Sequence, residues 1–512
     1  MNFLRKKGGA RRFPLFIPLF LVMCLAGYGA GISFASTTYY VDTQKGSDSN
    51  SGATPAEAFK TLTYSLQTAV FGDTVTALPG IYSMASNGET FPLVITAGIV
   101  LIARDGAGVT TILHDGNNPS SKPMIEIRLN SAGNHDTTLI EGFTIDGDSK
   151  PNNVNGILIS NYGVTAGVSP TIRRCVITNY RAQPTLDFDA SGILINAYNT
   201  SGGSLVTAKL DANTIKNSDN AIYVLAVSAG IGPFAEDHSR IFNNLIFDNN
   251  YGIALVTSGP APGTSACRIS TVVYNNTITD NACHGIDFLN GDSTTLPEIR
   301  VTVENNIISF NQGYGIYEDY PNSHPKLVDY NDFFFNDKGV YYDQTPPTSI
   351  QDITALNGLP EAGTGNNFDS NPEFVDRVNH DFHIRSFSRC VDKADATYVP
   401  LTDMDGDTRP WPAAGSSDVG ADEYTNEPYL LRGCVGQILP LVDPPLSLIF
   451  PMTPSSATVV ARGFISGGMD PETNILGDTS RPLCFYTIWG QTGITIVLTK
   501  DAPNETVRIY FK

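Results

Sequence analysis

The chain has 512 residues, of which 41% are hydrophobic and 16% are charged. Asp and Glu number 51 against 32 Lys and Arg, so the formal net charge at pH 7 is −19. Nucleic acids and anionic membranes are bound through clustered Lys and Arg side chains, and this charge excludes both as expected partners. The apolar fraction is large enough to build a core, which excludes a disordered chain.

Residues 1–35 have the pattern of an export signal. Basic residues precede an apolar stretch that runs from Phe13 to Ala30, and small residues occupy positions 33 and 35. We therefore expect cleavage between Ala35 and Ser36 and a secreted or cell-surface protein. An uncleaved membrane anchor is the alternative, but Pro and Gly residues interrupt the stretch. No later segment of the sequence is apolar enough to span a bilayer.

Residues 36–135 are predicted to hold a helical cap and the first coils of a β-structure. Thr54 to Glu57 match a capping box with Pro at the first helical position, and apolar residues follow at helical spacing. Such a helix would cover the open end of a strand stack. Strand-like runs follow at residues 73–77, 99–103 and 124–129.

An internal repeat with two landmarks occupies residues 136–345. The first landmark is an Asn-rich box with a central Ile, which begins at Asn213, Asn244, Asn276 and Asn306. The second is a Gly–Ile-type pair that recurs every 24 to 36 residues, at Gly156, Gly192, Ala221, Gly252, Gly285, Gly315 and Gly339. Each box fits a strand of three or four residues, and no helical stripe lies between the landmarks. Short strands joined by Asn and Gly turns once per coil predict an all-β fold, a parallel β-helix.

The repeat also predicts what fills the interior of the coils. Two apolar columns would stack there, one from Ile177 to Phe333 and one from Ile157 to Val340. Stacked Asn side chains would form an amide ladder, and Asn also tolerates the left-handed backbone of the turns. These residues are therefore assigned to structure and not to function.

Short motifs near both ends of the chain are more specific than the repeat. The opening motifs are Tyr39–Asp42, Gly46–Gly52, Phe59–Leu62, Gly72–Val75 and Pro79–Tyr82, and the closing motifs are Asn371–Asp376, Asp381–Ile384, Ser388–Asp392, Asp403–Pro410 and Asp418–Tyr424. The opening resembles that of bacterial exported right-handed parallel β-helix proteins, and some polysaccharide lyases share this pectate-lyase-like opening. The closing motifs resemble a recurrent terminal coil and the choice-of-anchor Q motif. The resemblance implies a right-handed, single-stranded β-helix over residues 37–424.

The end of the chain is predicted to form two further parts. Residues 346–427 would hold the terminal coils and the choice-of-anchor Q-like motif, and residues 428–512 a Pro-rich linker and a small β-sandwich-like domain. Alternating runs at 457–465, 483–489 and 494–498 would supply the strands of that domain. If disulfides form, Cys434 with Cys484 is the pair that we expect, because both lie in this last segment.

A stripe of Tyr and acidic side chains is predicted on the outside of the coils. Residues that flank the buried Ile of each Gly–Ile strand point outward by strand alternation. The members expected to contact a substrate are Tyr223, Tyr251, Tyr314, Tyr317 and Tyr341. Tyrosine rings stack on sugars, so a polysaccharide is the expected partner. The alternative is a surface aromatic ladder that stabilises the pairing of coils.

His284, Asp287 and Glu318, together with the adjacent Asp319, lie on neighbouring coils and form the candidate catalytic cluster. Paired carboxyl groups serve as acid and base in glycoside hydrolysis, and an imidazole can carry a proton. The alternative is a lyase in which Lys216 is the base, near acidic pairs of earlier coils. Sequence motifs typical of polygalacturonases and pectate lyases are absent from the sequence.

Asp403, Asp405 and Asp407 alternate in a short acidic loop and are the candidate metal ligands. An EF-hand loop needs Gly at its sixth position and Glu at its twelfth, where Thr408 and Ala414 stand here. Ca²⁺ is the candidate ion, and no other cofactor follows from the sequence. The alternative is a tight acidic turn packed by Arg409.

Together these features predict an exported polysaccharide-binding β-helix protein at the cell surface or outside the cell. The first alternative is a polysaccharide lyase or glycoside hydrolase that acts on an acidic glycan. The second is a non-catalytic structural or adhesin-like surface protein. Parallel β-helices support all three functions, so the residues of the site, and not the fold, must distinguish between them.

Overall fold

The computed structural model describes residues 36–425 with short gaps, and the backbone of five strands between residues 447 and 510. The gaps are 97, 116–121, 129–136, 151–153, 163–166, 182–189, 200–202, 229–233, 259–266, 291–297, 321–322, 345 and 414. Three predictions lie outside this described part. They are the export signal with its cleavage site, the pairing of Cys434 with Cys484, and the linker with the side chains of the last domain.

Three long parallel sheets surround a common interior. Sheet A consists of Thr38–Val41, Thr74–Ala77, Val100–Ala103, Leu139–Glu141, Thr171–Arg173, Lys209–Asp211, Arg240–Phe242, Val272–Tyr274, Thr302–Glu304 and Leu327–Asp329. Sheet B consists of Gly80–Tyr82, Thr110–Leu113, Thr144–Asp146, Val176–Thr178, Thr214–Lys216, Leu245–Phe247, Thr277–Thr279, Ile307–Ser309 and Asp332–Phe334.

Sheet C has the longest strands. They are Leu93–Ile95, Ile125–Arg128, Asn155–Tyr162, Ser191–Asn199, Asn220–Ser228, Tyr251–Ser258, Ile286–Asn290, Tyr314–Glu318 and Gly339–Gln344, and the antiparallel strand Pro347–Ile350 closes the sheet. A shorter sheet D consists of Ser204–Val206, Ala235–Asp237, Cys267–Ile269 and Glu298–Ile299, and it adds a fourth side to the middle coils.

Successive coils pair in parallel and in register. In sheet B, for example, Ile278 pairs with Ile246 of the coil before and with Ile308 of the coil after. Because the chain visits sheets A, B and C in turn, every strand finds its hydrogen-bonding partners in neighbouring coils. The protein is the right-handed parallel β-helix that the repeat and the opening motifs predict.

Both predicted apolar columns lie in the interior. The sheet B column is fully buried and contains Ile145, Ile177, Ile215, Ile246, Ile278, Ile308 and Phe333. The sheet C column is fully buried as well and contains Ile125, Ile157, Ile193, Ile222, Ile253, Ile286 and Ile316. Burying one Ile side chain stabilises the fold by about 2–3 kcal/mol, so these columns account for much of the stability of the coils.

The predicted amide ladder is present, and there are two of them. The first contains Asn213, Asn244, Asn276, Asn306, Asn331 and Asn367, and each Nδ2 donates to Oδ1 of the next member. The second contains Asn249, Asn281, Asn311 and Asn336 in the same arrangement. The side-chain amides also bond to the backbone of adjacent coils, so the buried polar atoms of the two ladders are satisfied.

Adjacent Asn residues between sheets A and B have different tasks. Asn243, Asn275 and Asn305 adopt left-handed φ values of 57°, 49° and 61°. Asn tolerates that conformation better than other residues with a side chain, apart from Asp. The Asn that follows each of them belongs to the inner ladder. Asn243, Asn275 and Asn305 point away from that ladder, and their Nδ2 groups donate to the backbone carbonyl groups of residues 402, 418 and 395.

The N-terminal cap differs from the prediction in its first residue. Pro55–Glu57 is a single 3₁₀ turn capped by Thr54, and the α-helix is Leu62–Thr68, capped by Thr61. The helix starts later than predicted because Phe59 forms a parallel bridge to Val41, which keeps the intervening backbone extended. The helix still buries Leu62 and Leu66 against the first coil, as the apolar spacing indicates.

Residues 368–425, here called the terminal segment, fold back along the outside of sheet B. They contain a short antiparallel pair, Phe374–Asp376 with Asp381–Ile384, where further coils were predicted. Their apolar side chains pack on the outer residues Phe247 and Ile307 of sheet B, in a second core that contains Phe368, Phe374, Phe382, Ile384, Cys390 and Val419. The outer face of sheet B is therefore covered at its later coils, whereas Ile81 of its first strand stays exposed. Along the chain, the last strand of sheet C is followed by the short α-helix Ile353–Leu356 and the 3₁₀ turn Pro360–Ala362. The terminal segment itself contains the 3₁₀ turn Arg377–Asn379.

The last part of the chain contains antiparallel strands where the alternating runs predict them. Ser447–Ile449, Thr495–Thr499 and Thr506–Tyr510 form one small sheet, and Val459–Arg462 pairs with Cys484–Thr487. In the described residues, Cys175, Cys283 and Cys390 are free thiols. A search of the same residues for a helix long and apolar enough to cross a membrane found none.

Candidate functional site

The predicted stripe lies on the outer face of sheet C, towards the last coils. Its central column runs Leu194, Tyr223, Ala254, Asp287 and Tyr317, each paired with the next across neighbouring strands. The face is formed by strand alternation, since Ile286 and Ile316 on either side point into the core. Tyr223 lies two coils before Asp287 in this column, and the remaining aromatic residues gather around the last three coils.

Five rings form one aromatic cluster, namely Tyr251, His284, Tyr314, Tyr317 and Tyr342. The His284 and Tyr317 rings are stacked and nearly parallel, with centroids 4.5 Å apart and an interplanar angle of 3°. Tyr342 stacks on the other side of Tyr317 at 5.0 Å, while Tyr314 and Tyr251 lie 5.7 and 6.2 Å from His284. The five rings therefore lie on four successive coils, with Tyr314 and Tyr317 on the same strand, and they stack along the helix axis.

His284 is held in a single orientation within this cluster. It is 8% exposed, and its Nδ1 accepts a hydrogen bond of 2.9 Å from the backbone N–H of Tyr314. Burial and the nearby charge of Lys338 lower the pKa of His284 to about 4, so the ring is neutral at neutral pH. Because Nδ1 is the acceptor, the ring proton sits on Nε2, and His284 presents a donor and not a base.

Asp287 lies behind His284 and is almost fully buried. Its Oδ1 is 4.0 Å from His284 Nε2, which is too long for a hydrogen bond. Within the described residues its Oδ2 has no hydrogen-bond partner. Burial and the neighbouring charge of Asp319 raise the pKa of Asp287 well above its usual value. A protonated carboxyl group at this position is a second donor, and it avoids the cost of an unpaired buried charge.

Two residues of the predicted site lie inside the coil and not on its surface. Tyr341 pairs with the core residue Ile316 and is fully buried, so its predicted outward position is wrong, and Tyr342 occupies that position. Glu318 pairs with Phe288 of the core and is also fully buried. Because Asp287 and Glu318 face opposite sides of sheet C, the predicted pair of carboxyl groups does not form.

The displaced register has a signal in the sequence. Asn306 bonds to Asn331 and Asn311 bonds to Asn336, two steps of 25 residues. The same step carries Tyr317 to Tyr342, whereas the Gly–Ile-type marks at 315 and 339 are 24 apart. Gly339 in fact pairs with Tyr314. The amide ladder is the better guide to strand register, because a shift of one residue would break its hydrogen bonds. Gly339, with a φ of 134°, follows a separate turn, so the spacing of the Gly–Ile-type pairs does not report the register there.

The remaining candidates lie elsewhere. Lys216 is on sheet B, where its ammonium sits 5.7 Å from the Phe247 ring, so it belongs to a different face from His284. Asp403 Oδ1 accepts the backbone N–H groups of residues 405, 406 and 407, and its Oδ2 accepts that of Glu423. Asp405 bonds instead to His383. A Ca²⁺ loop does not fit these atoms, because the lone pairs of Asp403 already close the turn.

The comparisons with known proteins concern the coils. A family model described as a protein of unknown function, DUF1565, matches residues 44–295. No curated protein matches the chain.

Solved structures with a similar course of the chain include pectate lyase Pel9A, with 12% identity, a TM-score of 0.40, and coverage of 77% of this chain and 98% of the lyase. The A-module of the Azotobacter vinelandii mannuronan C-5 epimerase AlgE4 has 19% identity, a TM-score of 0.33, and coverage of 53% and 70%. XylC in complex with xylose has 10% identity, a TM-score of 0.30, and coverage of 76% and 98%. At these identities the likeness is one of fold.

The geometry of the cluster suits hydrogen bonding to a ligand better than proton abstraction. His284 presents a donor, burial favours the neutral form of Asp287, and Glu318 lies on the opposite side of sheet C, so the carboxyl group that acts on Asp287 is that of Asp319. The Tyr side chains are partly exposed, stacking covers part of their faces, and the hydroxyl group of Tyr314 also bonds to Ser349. Lys338, which is exposed, adds a positive charge beside His284.

Proposed function

We propose that the protein is exported and binds a polysaccharide along the outer face of sheet C, at the cell surface or outside the cell. Export rests on the leader pattern of residues 1–35. Binding rests on one observation, the partly exposed aromatic cluster of Tyr251, His284, Tyr314, Tyr317 and Tyr342, whose rings stack along four successive coils. The cluster spans four coils, about 15 Å at strand spacing, and the later coils of sheet B are covered by the terminal segment.

The way in which the rings contact a sugar follows from their stacking. A pyranose ring that stacks on Tyr needs a free aromatic face. Tyr317 has His284 on one face and Tyr342 on the other, so it offers its edge and hydroxyl group. A row of hydroxyl groups at coil spacing, about 4.8 Å, can bond to the hydroxyl groups of successive sugars in an extended chain. Binding would therefore depend on the Tyr oxygens more than on the ring faces.

Substitution by Phe separates these two contributions. The triple variant Tyr314→Phe, Tyr317→Phe, Tyr342→Phe keeps the stacked rings but removes three hydroxyl groups. We expect retention on the insoluble glycan that the wild-type protein binds best, found by screening a panel, to fall at least tenfold. Thermal unfolding should stay within a few degrees of the wild-type value, because the packing is unchanged.

The control is Tyr64→Phe, which removes the hydroxyl group of an exposed Tyr on the N-terminal helix, at the opposite end of the β-helix from the aromatic cluster. It should be retained like the wild-type protein. Retention of the triple variant at the wild-type level would contradict binding at this face. If no glycan of the panel retains the wild-type protein, the cluster is a structural ladder and the proposal fails.

A catalytic function has one supporting observation, the buried Asp287 with its raised pKa beside a surface cluster. Carboxyl groups perturbed in this way are frequent at active sites, where they act as general acids. The wild-type protein would then release reducing ends or unsaturated uronates from a retained glycan, and Asp287→Asn would release none while binding normally. Retention without any release by the wild-type protein would favour pure binding.

A further inference from the structure

An inward column of sheet C changes from apolar to acidic in the last two coils. Ile195, Val224, Leu255 and Phe288 follow each other in register and are fully buried. Glu318 comes next, paired with Phe288, and Asp343 follows in the adjacent strand, one residue after the pair of Tyr317 with Tyr342. Glu318 is fully buried and Asp343 is partly buried, and a buried acid destabilises a fold unless something compensates it, so a binding role is the natural explanation.

The contacts of Glu318 leave part of its carboxyl group unused. Its side chain is fully buried. Oε1 accepts hydrogen bonds from the hydroxyl group of Tyr341 and from His324 Nδ1, the latter at 3.2 Å. Oε2 lies 3.0 Å from the same His324 nitrogen but accepts no hydrogen bond of good geometry. A fully buried carboxylate oxygen without a hydrogen bond is the kind of atom that coordinates a cation.

The neighbouring groups complete a set of ligands beside a cavity. One ligand atom each of Glu318, His324 and Asp343 lie within 4.8 Å of one another. A cavity of about 440 Å³ adjoins them, with His324, Lys326, Asp343 and Glu361 in its lining. The His324 side chain is 39% exposed, so an ion can reach the cluster from solvent.

We propose that Glu318, His324 and Asp343 bind a divalent transition-metal ion, with Zn²⁺ as the reference ion. The chemistry of the donors selects this class. Zn²⁺ and its neighbours accept imidazole nitrogen together with carboxylate oxygen, whereas Ca²⁺ prefers a shell made of oxygen alone. Three protein ligands leave one position for water or a ligand in the cavity. The site lies inside the coil and is independent of glycan binding on the outer face.

A second group with similar donors serves as the internal comparison. His383, Asp405 and Asp422 also approach within 4.8 Å of one another. There, however, His383 Nδ1 and Nε2 lie 2.5 and 2.7 Å from Asp381 and Asp405, and Asp422 accepts the backbone N–H of Ile384. Both imidazole nitrogens and the carboxyl groups of this group are engaged, and none of its buried oxygens in the described residues lacks a hydrogen bond, whereas Glu318 Oε2 does.

The test is isothermal titration calorimetry of the tag-free protein with ZnCl₂, after treatment with a chelator. We expect one site in the wild-type protein and a loss of affinity of at least tenfold in Glu318→Gln and in His324→Asn. His383→Gln and His238→Gln, which removes a surface His beside Glu236, should bind like the wild-type protein. Far-UV circular dichroism checks that each variant is folded.

Thermal unfolding gives a second readout. Zn²⁺ should raise the melting temperature of the wild-type protein and leave that of Glu318→Gln unchanged. Without metal, Glu318→Gln should unfold no earlier than the wild-type protein, because Gln keeps the contact with Tyr341 and removes a buried charge. Absence of Zn²⁺ binding, equal binding by Glu318→Gln, loss of binding in His383→Gln alone, or equal competition by Ca²⁺ would each overturn the proposal.

Discussion

The coils and the terminal segment are stabilised by different interactions, although they pack against each other. The coils, residues 38–350, rely on apolar columns and amide ladders, neither of which changes its charge with pH. The terminal segment, residues 368–425, relies on a small apolar core and on buried carboxyl groups within it or at its contact with the coils. The comparison indicates that a repeat achieves stability by stacking, whereas the non-repeating cover needs specific ion networks.

The strongest test of the coils is to remove one member of the amide ladder. Asn276 Nδ2 donates to the carbonyl groups of Ile241 and Tyr274 and to Asn306 Oδ1, while its Oδ1 accepts from Asn244. Asn276→Ala leaves several buried polar groups without partners, and we expect it to lower the free energy of unfolding by about 3–5 kcal/mol. Denaturant titration would measure the change.

The matched control is Asn336→Ala at the end of the second ladder, where the side chain is partly exposed. It should cost less than half as much, because water can replace the lost partners. Equal effects of the two substitutions would show that the ladder is not stabilised by burial.

The terminal segment should be released from the coils at alkaline pH. Burial raises the pKa of Asp422 to about 7 and that of Asp332, Asp418 and Glu304 to about 8. Between the unfolded value near 4 and these folded values, the unfolded chain has lost a proton that the fold retains. The free energy of unfolding therefore falls as pH rises, by up to about 1.4 kcal/mol per pH unit for each group.

His383 adds a loss in the same direction at higher pH. Burial alone would lower its pKa, but the hydrogen bonds to Asp381 and Asp405 raise it to about 10. The stabilisation by the protonated ring is complete below its unfolded pKa of 6.5 and disappears as pH rises towards 10.

Trp411 reports on this release, since its backbone N–H donates to Glu423 within the segment. The chain has 2 Trp residues, and Trp489→Phe leaves Trp411 alone. Its fluorescence should shift to longer wavelength between about pH 6 and pH 10, while the far-UV circular dichroism of the coils persists. An unchanged Trp411 spectrum over this range would contradict the assignment of the two regions.

A smaller effect is expected where the two regions meet on the surface. Arg377 of the terminal segment forms an ion pair with Asp280 and lies 3.6 Å from the centre of the Phe310 ring. Arg377→Ala should weaken the contact by about 1 kcal/mol, and Arg377→Lys by less. The Trp411 transition should then start at lower pH, and a transition at the wild-type pH would show that this contact is not needed.

The smallest effect is expected on the outside of the coils themselves. Arg268 lies between Glu236 and Glu298 on sheet D, at 3.1 and 2.8 Å. These pairs are partly exposed, so Arg268→Ala should lower the free energy of unfolding by under about 1 kcal/mol, and less at high salt. A larger loss would mean that surface ion pairs and not the stacked interior fix the spacing of the coils.

Much of the β-helix could be predicted from the sequence because the repeat encodes it residue by residue. The Ile columns, the Asn ladder and the outward placement of Tyr317 and Asp287 all follow from strand alternation within one coil. The terminal segment could not be predicted in the same way. Its position on sheet B depends on contacts between residues that are distant in the chain. Asn275, for example, bonds to residues 418 and 420, which follow it by 143 and 145 residues.

The candidate site was predicted less completely than the fold. A shift of one residue in register decides whether a side chain faces the core or the solvent. Here that shift places Tyr341 in the core and Tyr342 on the surface. Alternation along a single strand would also have placed Glu318 inward, next to the outward Tyr317. The predicted pairing of Asp287 with Glu318 is wrong because the two residues match in type on adjacent coils but lie on opposite faces of sheet C.

The central claim, that a glycan lies along sheet C, is tested most directly by hydrogen–deuterium exchange with and without a soluble oligosaccharide of the retained glycan. The account predicts slower exchange in Ile286–Asn290, Tyr314–Glu318 and Gly339–Gln344 when the oligosaccharide is present, and unchanged exchange in sheet A and in the terminal segment. Slower exchange confined to residues 426–512, with sheet C unchanged, would contradict it.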